Sequence, residues 1–166
     1  MSGKIALFAG SFDPVTKGHV ELIERASRLV DTLYVGIFYN LDKQGMFSID
    51  ERKRMLEGAV AHLPNVQLVT SQQELAVTVA QRLGASCLIR GLRGSQDLAY
   101  EATLQAYNQD LAPDLETIFL LSSPNYQHLS SSGVRELLAF KQDVSPYVPA
   151  SVIKELERKY ETFKTI

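Results

Sequence analysis

Residues 4–19, KIALFAGSFDPVTKGH, decide the fold. Ile5, Leu7, Phe8 and Ala9 make an apolar run of strand length, and Gly10 ends it with a residue that tolerates unusual backbone angles. The chain then turns through Ser11, Phe12, Asp13 and Pro14, where Pro14 fixes its own φ and pushes Asp13 away from helical angles. Val20, Ile23, Ala26 and Val30, with Leu22 and Leu29 beside them, recur at helical spacing, so a helix follows and lays this face on a sheet. Gly18 and His19 fall in its first turn, where unpaired N–H groups and the positive end of the helix dipole favour a phosphate. The redox-cofactor fingerprint G-x-G-x-x-G is missing, so nucleotide-phosphate chemistry is favoured over hydride transfer.

Outward from that stretch, apolar runs alternate with helix patterns. Strands are predicted at 33–39, 66–69, 87–89 and 117–121. Ser48-Ile49-Asp50-Glu51 is a capping box that starts a helix through Met55, Leu56, Ala59 and Val60. Further helices are predicted at 74–83, from Leu75, Val79, Ala80 and Leu83, then at 95–111, 131–140 and 149–163. The last is amphipathic, with Val152, Ile153, Leu156, Tyr160 and Phe163 on one side. Strands separated by helical crossovers imply right-handed βαβ units: an α/β, Rossmann-like, doubly wound sheet of five parallel strands, helices on both faces and a C-terminal helix. Ligands of such sheets bind beyond the carboxyl ends of the strands. The turns at 10–19, 40–43, 70–74, 90–93 and 122–132 should meet there.

At 166 residues with no repeat or linker, the chain is expected to form one domain, 1–166. A formal net charge of −2 gives no global attraction to nucleic acid. No segment approaches the roughly 20 apolar residues of a membrane span. The N-terminus runs straight into a strand and lacks a signal-peptide pattern, and the single cysteine, Cys87, reads as a buried strand thiol, so a cytoplasmic location is expected.

Several side chains stand out before any family is considered. Arg90 and Arg93 follow a buried strand closely enough to repel one another unless anions lie between them, and salt bridges to Asp97 or Glu101 are the alternative. Ser11 suits either a turn or a phosphate contact, and Asp13 reads as a local turn stabiliser. Ser130, Ser131 and Ser132 open a helix, where serines serve as N-caps or as phosphate ligands.

Gly10-Ser11-Phe12-Asp13-Pro14 with Thr16-Lys17-Gly18-His19 resembles the G-[ST]-F-D-P…[TH]-x-G-H signature of the nucleotidyltransferase superfamily. Ile89-Arg90-Gly91-Leu92-Arg93 and the serine run narrow the resemblance to the bacterial phosphopantetheine adenylyltransferases, over nearly the whole chain. The resemblance implies adenylyl transfer from ATP to 4′-phosphopantetheine, with Mg²⁺ accompanying the ATP and a homohexameric assembly. It gives His19 the role of transition-state stabiliser. It also implies ATP contacts at Ser11, Phe12, His19, Gly91, Leu92, Arg93, Glu101, Tyr126, Gln127, His128, Leu129, Ser130, Ser131 and Ser132, and acceptor contacts at Ser11, Lys43, Ala76 and Arg90. No dedicated metal ligands are expected. The alternatives are another acceptor on the same fold, nicotinate mononucleotide or glycerol phosphate, or a non-catalytic nucleotide-binding module.

Overall fold

The computed structural model describes residues 3–164, with side chains through residue 161. The elements are β1 (Ile5–Gly10), α1 (Lys17–Ser27), β2 (Thr32–Tyr39), α2 (Ile49–Val60), β3 (Val66–Gln72), α3 (Ala76–Arg82), β4 (Cys87–Leu92), α4 (Ser95–Leu111), β5 (Glu116–Leu121), a 3₁₀ turn (Pro124–Tyr126), α5 (Ser131–Ala139) and α6 (Ala150–Lys164). The five strands are parallel in the order β3-β2-β1-β4-β5. The sheet is therefore doubly wound about β1, and the winding reverses between β1 and β4.

Side-chain alternation assigns the two faces. Ala6 and Phe8 of β1, with Leu33, Val35 and Ile37 of β2, pack beneath Ile23 and Ala26 of α1, Met55 and Leu56 of α2, and Val152 and Leu156 of α6. Leu7 and Leu88 point the other way, onto Val77, Val79 and Ala80 of α3. Cys87 is buried in β4, and that burial pushes its thiol above the ordinary value, so it is no nucleophile at neutral pH. Among the described residues, no helix is long and apolar enough to cross a membrane.

Four boundaries depart from the sequence reading. β3 continues past Val69 because Thr70, Ser71 and Gln72 find main-chain partners in Ile37, Phe38 and Tyr39, whatever their polarity. β4 continues past Ile89 for the same reason, so Arg90, Gly91 and Leu92 are strand residues paired with Phe119, Leu120 and Leu121 rather than a turn. Helix α1 ends at Ser27, leaving Leu29 half exposed instead of on the packed face. Helix α3 begins at Ala76, and Leu75 is its exposed N-cap. The side chain of Phe163, expected on the apolar side of α6, lies outside the described residues.

Candidate active site

The turn after β1 builds part of the lining of a crevice at the carboxyl ends of β1 and β4. Phe12 takes a positive φ of 49° and buries its ring, which meets the His19 ring edge-on at 5.1 Å between centroids. Thr16 caps α1: its hydroxyl accepts the His19 N–H, and its own N–H donates to His19 Nδ1 at 3.0 Å. A nitrogen that accepts an N–H carries no proton, so the neutral ring holds its proton on Nε2. Burial, with a smaller contribution from the Arg93 charge, lowers the His19 pKa from 6.5 to about 4. At neutral pH His19 is thus an uncharged Nε2–H donor. Sequence reasoning placed Thr16 in the motif but gave it no role, although its position three residues before His19 is capping-box spacing.

The arginines have carboxylate partners. Arg90 donates from Nε and Nη2 to the two oxygens of Glu101, at 2.9 and 2.6 Å, and from Nη1 to Ala9 O at 2.8 Å. Arg93 pairs with Asp97 at 3.2 Å. Burial acts to raise the Asp97 pKa, but the N–H and guanidinium of Arg93 outweigh it and hold the carboxyl below its ordinary value. Each guanidinium thus has a carboxylate partner, which relieves the repulsion between the two. Gly91 lies between them, where a Cβ would strike the Leu22 side chain of α1.

The serine run lines the same crevice. Ser130 caps α5 by accepting the Gly133 N–H, and Ser131 donates to Pro14 O at 2.7 Å. Arg135 donates to Asp13 O at 2.7 Å and to Ser132 Oγ at 3.1 Å. The resulting cavity, about 470 Å³, is lined by Ser11, Thr16, His19, Arg90, Arg93 and Arg135 among others. A second cavity, about 560 Å³, holds Lys43, Arg52 and Asn40 and shares Ser11 and Arg135 with the first.

Asp13 does not stabilise its own turn. Its oxygens accept the N–H groups of Phe47 and Met46, at 2.9 and 3.0 Å, more than thirty residues away. Arg52 lies alongside at 3.4 Å. Neither Arg52 nor Arg135 was singled out from the sequence, because nothing in the spacing of either signals burial beside the turn.

Residues 7–137 match the model of the cytidylyltransferase-like family. A phosphopantetheine adenylyltransferase of Streptococcus gordonii is 66% identical over 159 residues, covering 96% of this chain and 97% of that protein. One from Streptococcus pneumoniae is 59% identical, covering 96% and 98%. The chain belongs to the phosphopantetheine adenylyltransferase family. Its fold is also that of a putative nicotinate-nucleotide adenylyltransferase from Vibrio parahaemolyticus, with a TM-score of 0.66 at 17% identity, over 93% of this chain and 99% of that one.

The residues that resemblance to the adenylyltransferases singled out are not all gathered in one place. The first cavity brings together Ser11, His19, Arg90, Gly91, Arg93, Glu101, Tyr126, Leu129, Ser130, Ser131 and Ser132. Phe12 lies buried against His19, and Leu92 is buried in β4, neither lining the cavity. Gln127 turns back to Ser122 O, and the His128 ring meets Tyr147 edge-on. Lys43 lies in the second cavity, while Ala76 opens α3 outside both.

Proposed function

We propose that two phosphorylated substrates meet across Ser11, ATP in the first cavity and 4′-phosphopantetheine reaching in from the second. The chain transfers the adenylyl group of ATP to 4′-phosphopantetheine, reversibly, giving dephospho-coenzyme A and pyrophosphate in coenzyme A biosynthesis. The observation that carries the site assignment is the pair of cationic cavities sharing Ser11 and Arg135.

In the forward direction an oxygen of the acceptor phosphate attacks the α-phosphorus of ATP in line. The new O–P bond forms as the bond from that phosphorus to its bridging oxygen breaks, and pyrophosphate leaves with the electron pair. A phosphate nucleophile is already ionised near neutral pH, so no general base is needed, and placement with charge neutralisation carries the rate. The Nε2–H of His19 stabilises charge gathering on the phosphoryl oxygens. Arg93, Glu101 and the α5 start hold the nucleotide, and Ser11, Lys43 and Arg90 hold the acceptor phosphate.

Mg²⁺ enters this reading on the triphosphate. Among the described residues no three His, Cys, Asp or Glu side chains cluster as a metal cage, and the cavity carboxylates Asp97 and Glu101 are engaged by arginines. The chain works in this reading as one nucleotidyltransferase domain in a cytoplasmic homohexamer. The exposed apolar Leu98, Tyr107 and Leu111 of α4 and Phe140 support an assembly, and a sedimentation run giving only monomer would remove it.

The deciding assay is pyrophosphate release with ATP and 4′-phosphopantetheine, against nicotinate mononucleotide and glycerol phosphate as acceptors. Turnover confined to 4′-phosphopantetheine is expected. Tight ATP binding without turnover on any acceptor would make the chain a nucleotide-binding module instead.

A further inference from the structure

We infer that Arg52 is a positioning residue for the acceptor half of the site, acting through Asp13 and the main chain of Ser11 and Phe47. It stands in the second turn of α2, yet its side chain is only 7% exposed. Its Nε donates to Phe47 O at 2.9 Å and its Nη1 to Ser11 O at 3.3 Å, so one guanidinium joins two segments that are remote in sequence. Asp13 completes the clasp from beneath by accepting the Met46 and Phe47 N–H groups. Gly45 lies flush on the pair, since a Cβ there would land on Arg52 Nη2 and close to Asp13 Oδ2. From outside, Lys159 of α6 donates to Met46 O at 3.2 Å and sits over the Phe47 ring.

The consequence is directional. The loop that carries Lys43 is fixed at its C-terminal end to the turn that carries Ser11, so the spacing of these two groups depends on the fork of Arg52. A lysine would keep the charge beside Asp13 but has a single ammonium and no rigid pair of donors for two carbonyls. Arg52 lines the second cavity and not the first. Its loss therefore shifts Lys43 relative to Ser11, on the acceptor side, while His19, Arg90, Arg93 and the start of α5 in the first cavity keep partners of their own.

This inference rests on the acceptor binding beside Lys43, so wild-type turnover with ATP and 4′-phosphopantetheine is measured first; its absence would sink the functional reading rather than the clasp. In Arg52→Lys, the KM for 4′-phosphopantetheine should rise about tenfold or more, since small misplacements cost that much. The KM for ATP should stay within about twofold, a split that general weakening of the fold would not produce. Asp13→Asn, with one carboxylate oxygen replaced by a donor, should show the same split. Amide exchange at Met46 and Phe47 should be slow in the wild-type chain and faster in whichever variant folds. Equal rises in both KM values, an unchanged acceptor KM, or fast wild-type exchange at these two amides would overturn the assignment.

Discussion

Replacing His19 tests the chemistry most directly, because its ring does two separable jobs. Nδ1 accepts the buried Thr16 N–H, and Nε2 carries the proton offered to the substrate. Asparagine at this position keeps an acceptor near the Nδ1 position but has nothing at the place of Nε2. His19→Asn should therefore fold with stability close to wild type while losing the donor, a loss of about 3–4 kcal/mol of transition-state stabilisation, or about 10²–10³ in kcat. His19→Ala should lose the same rate and, in addition, about 1–3 kcal/mol of stability, because the Thr16 N–H is left without a partner. Steady-state pyrophosphate release, with ATP affinity from calorimetry, reads the first effect, and urea unfolding reads the second. A His19→Asn enzyme within tenfold of the wild-type kcat would refute the donor role, and a fall in ATP affinity matching the fall in rate would make His19 a ground-state ligand.

The depressed pKa adds a pH signature with a definite sign. The unfolded imidazole takes up its proton near 6.5, while the folded one resists until about 4. Between these values the unfolded chain binds more protons, so His19 contributes stability that is complete above 6.5 and lost as pH falls toward 4, up to about 3 kcal/mol. The wild-type unfolding free energy should fall over that window by more than that of His19→Asn. An NMR titration of the His19 ring should have its midpoint near 4, and a midpoint near 6.5 would show the ring to be solvated.

Other substitutions probe the walls. Gly91→Ala should cost about 1–3 kcal/mol by driving its Cβ into Leu22, and Leu22→Ala in the same chain should be less harmful than the two separate losses summed, as thermal unfolding of the four proteins would show. Glu101→Gln removes a carboxylate held by two guanidinium nitrogens of Arg90; both ATP and acceptor affinities should weaken in calorimetry, and an unchanged acceptor affinity would separate Glu101 from the orientation of Arg90. Ser131→Ala removes the 2.7 Å tie to Pro14 O and should lower stability by about 1 kcal/mol in urea unfolding.

The sheet was legible because its central strands are apolar throughout, and His19 because a glycine-ended strand running into a helix start leaves little choice of position. The strand ends were less so. Thr70, Ser71 and Gln72, like Arg90, Gly91 and Leu92, have the composition of turns, and only the length of the neighbouring strand makes them pair. The reach of Asp13 was invisible for a similar reason: an Asp before Pro14 is accounted for locally, whereas its partners Met46, Phe47 and Arg52 become neighbours only once α2 packs beside α1. Local patterns specify elements, and contacts between turns depend on how those elements are stacked.

That stacking gives so cationic a site its own counter-charges. Arg90 leans on Glu101, Arg93 on Asp97 and Arg52 on Asp13, so the guanidiniums along the crevice carry their own counter-charges. Left bare, four arginines and a lysine around one pair of cavities would repel and would suffer desolvation without compensation. With carboxylates in place, an arriving phosphate is met by donors already oriented, and its own charge substitutes for part of a pairing the chain itself makes. The most buried of these pairs, Arg52 with Asp13, spends its donors and acceptors on main chain, whereas Arg90 and Arg93 face the cavity. Depth thus separates the cation that holds the scaffold from those available to the substrate phosphates.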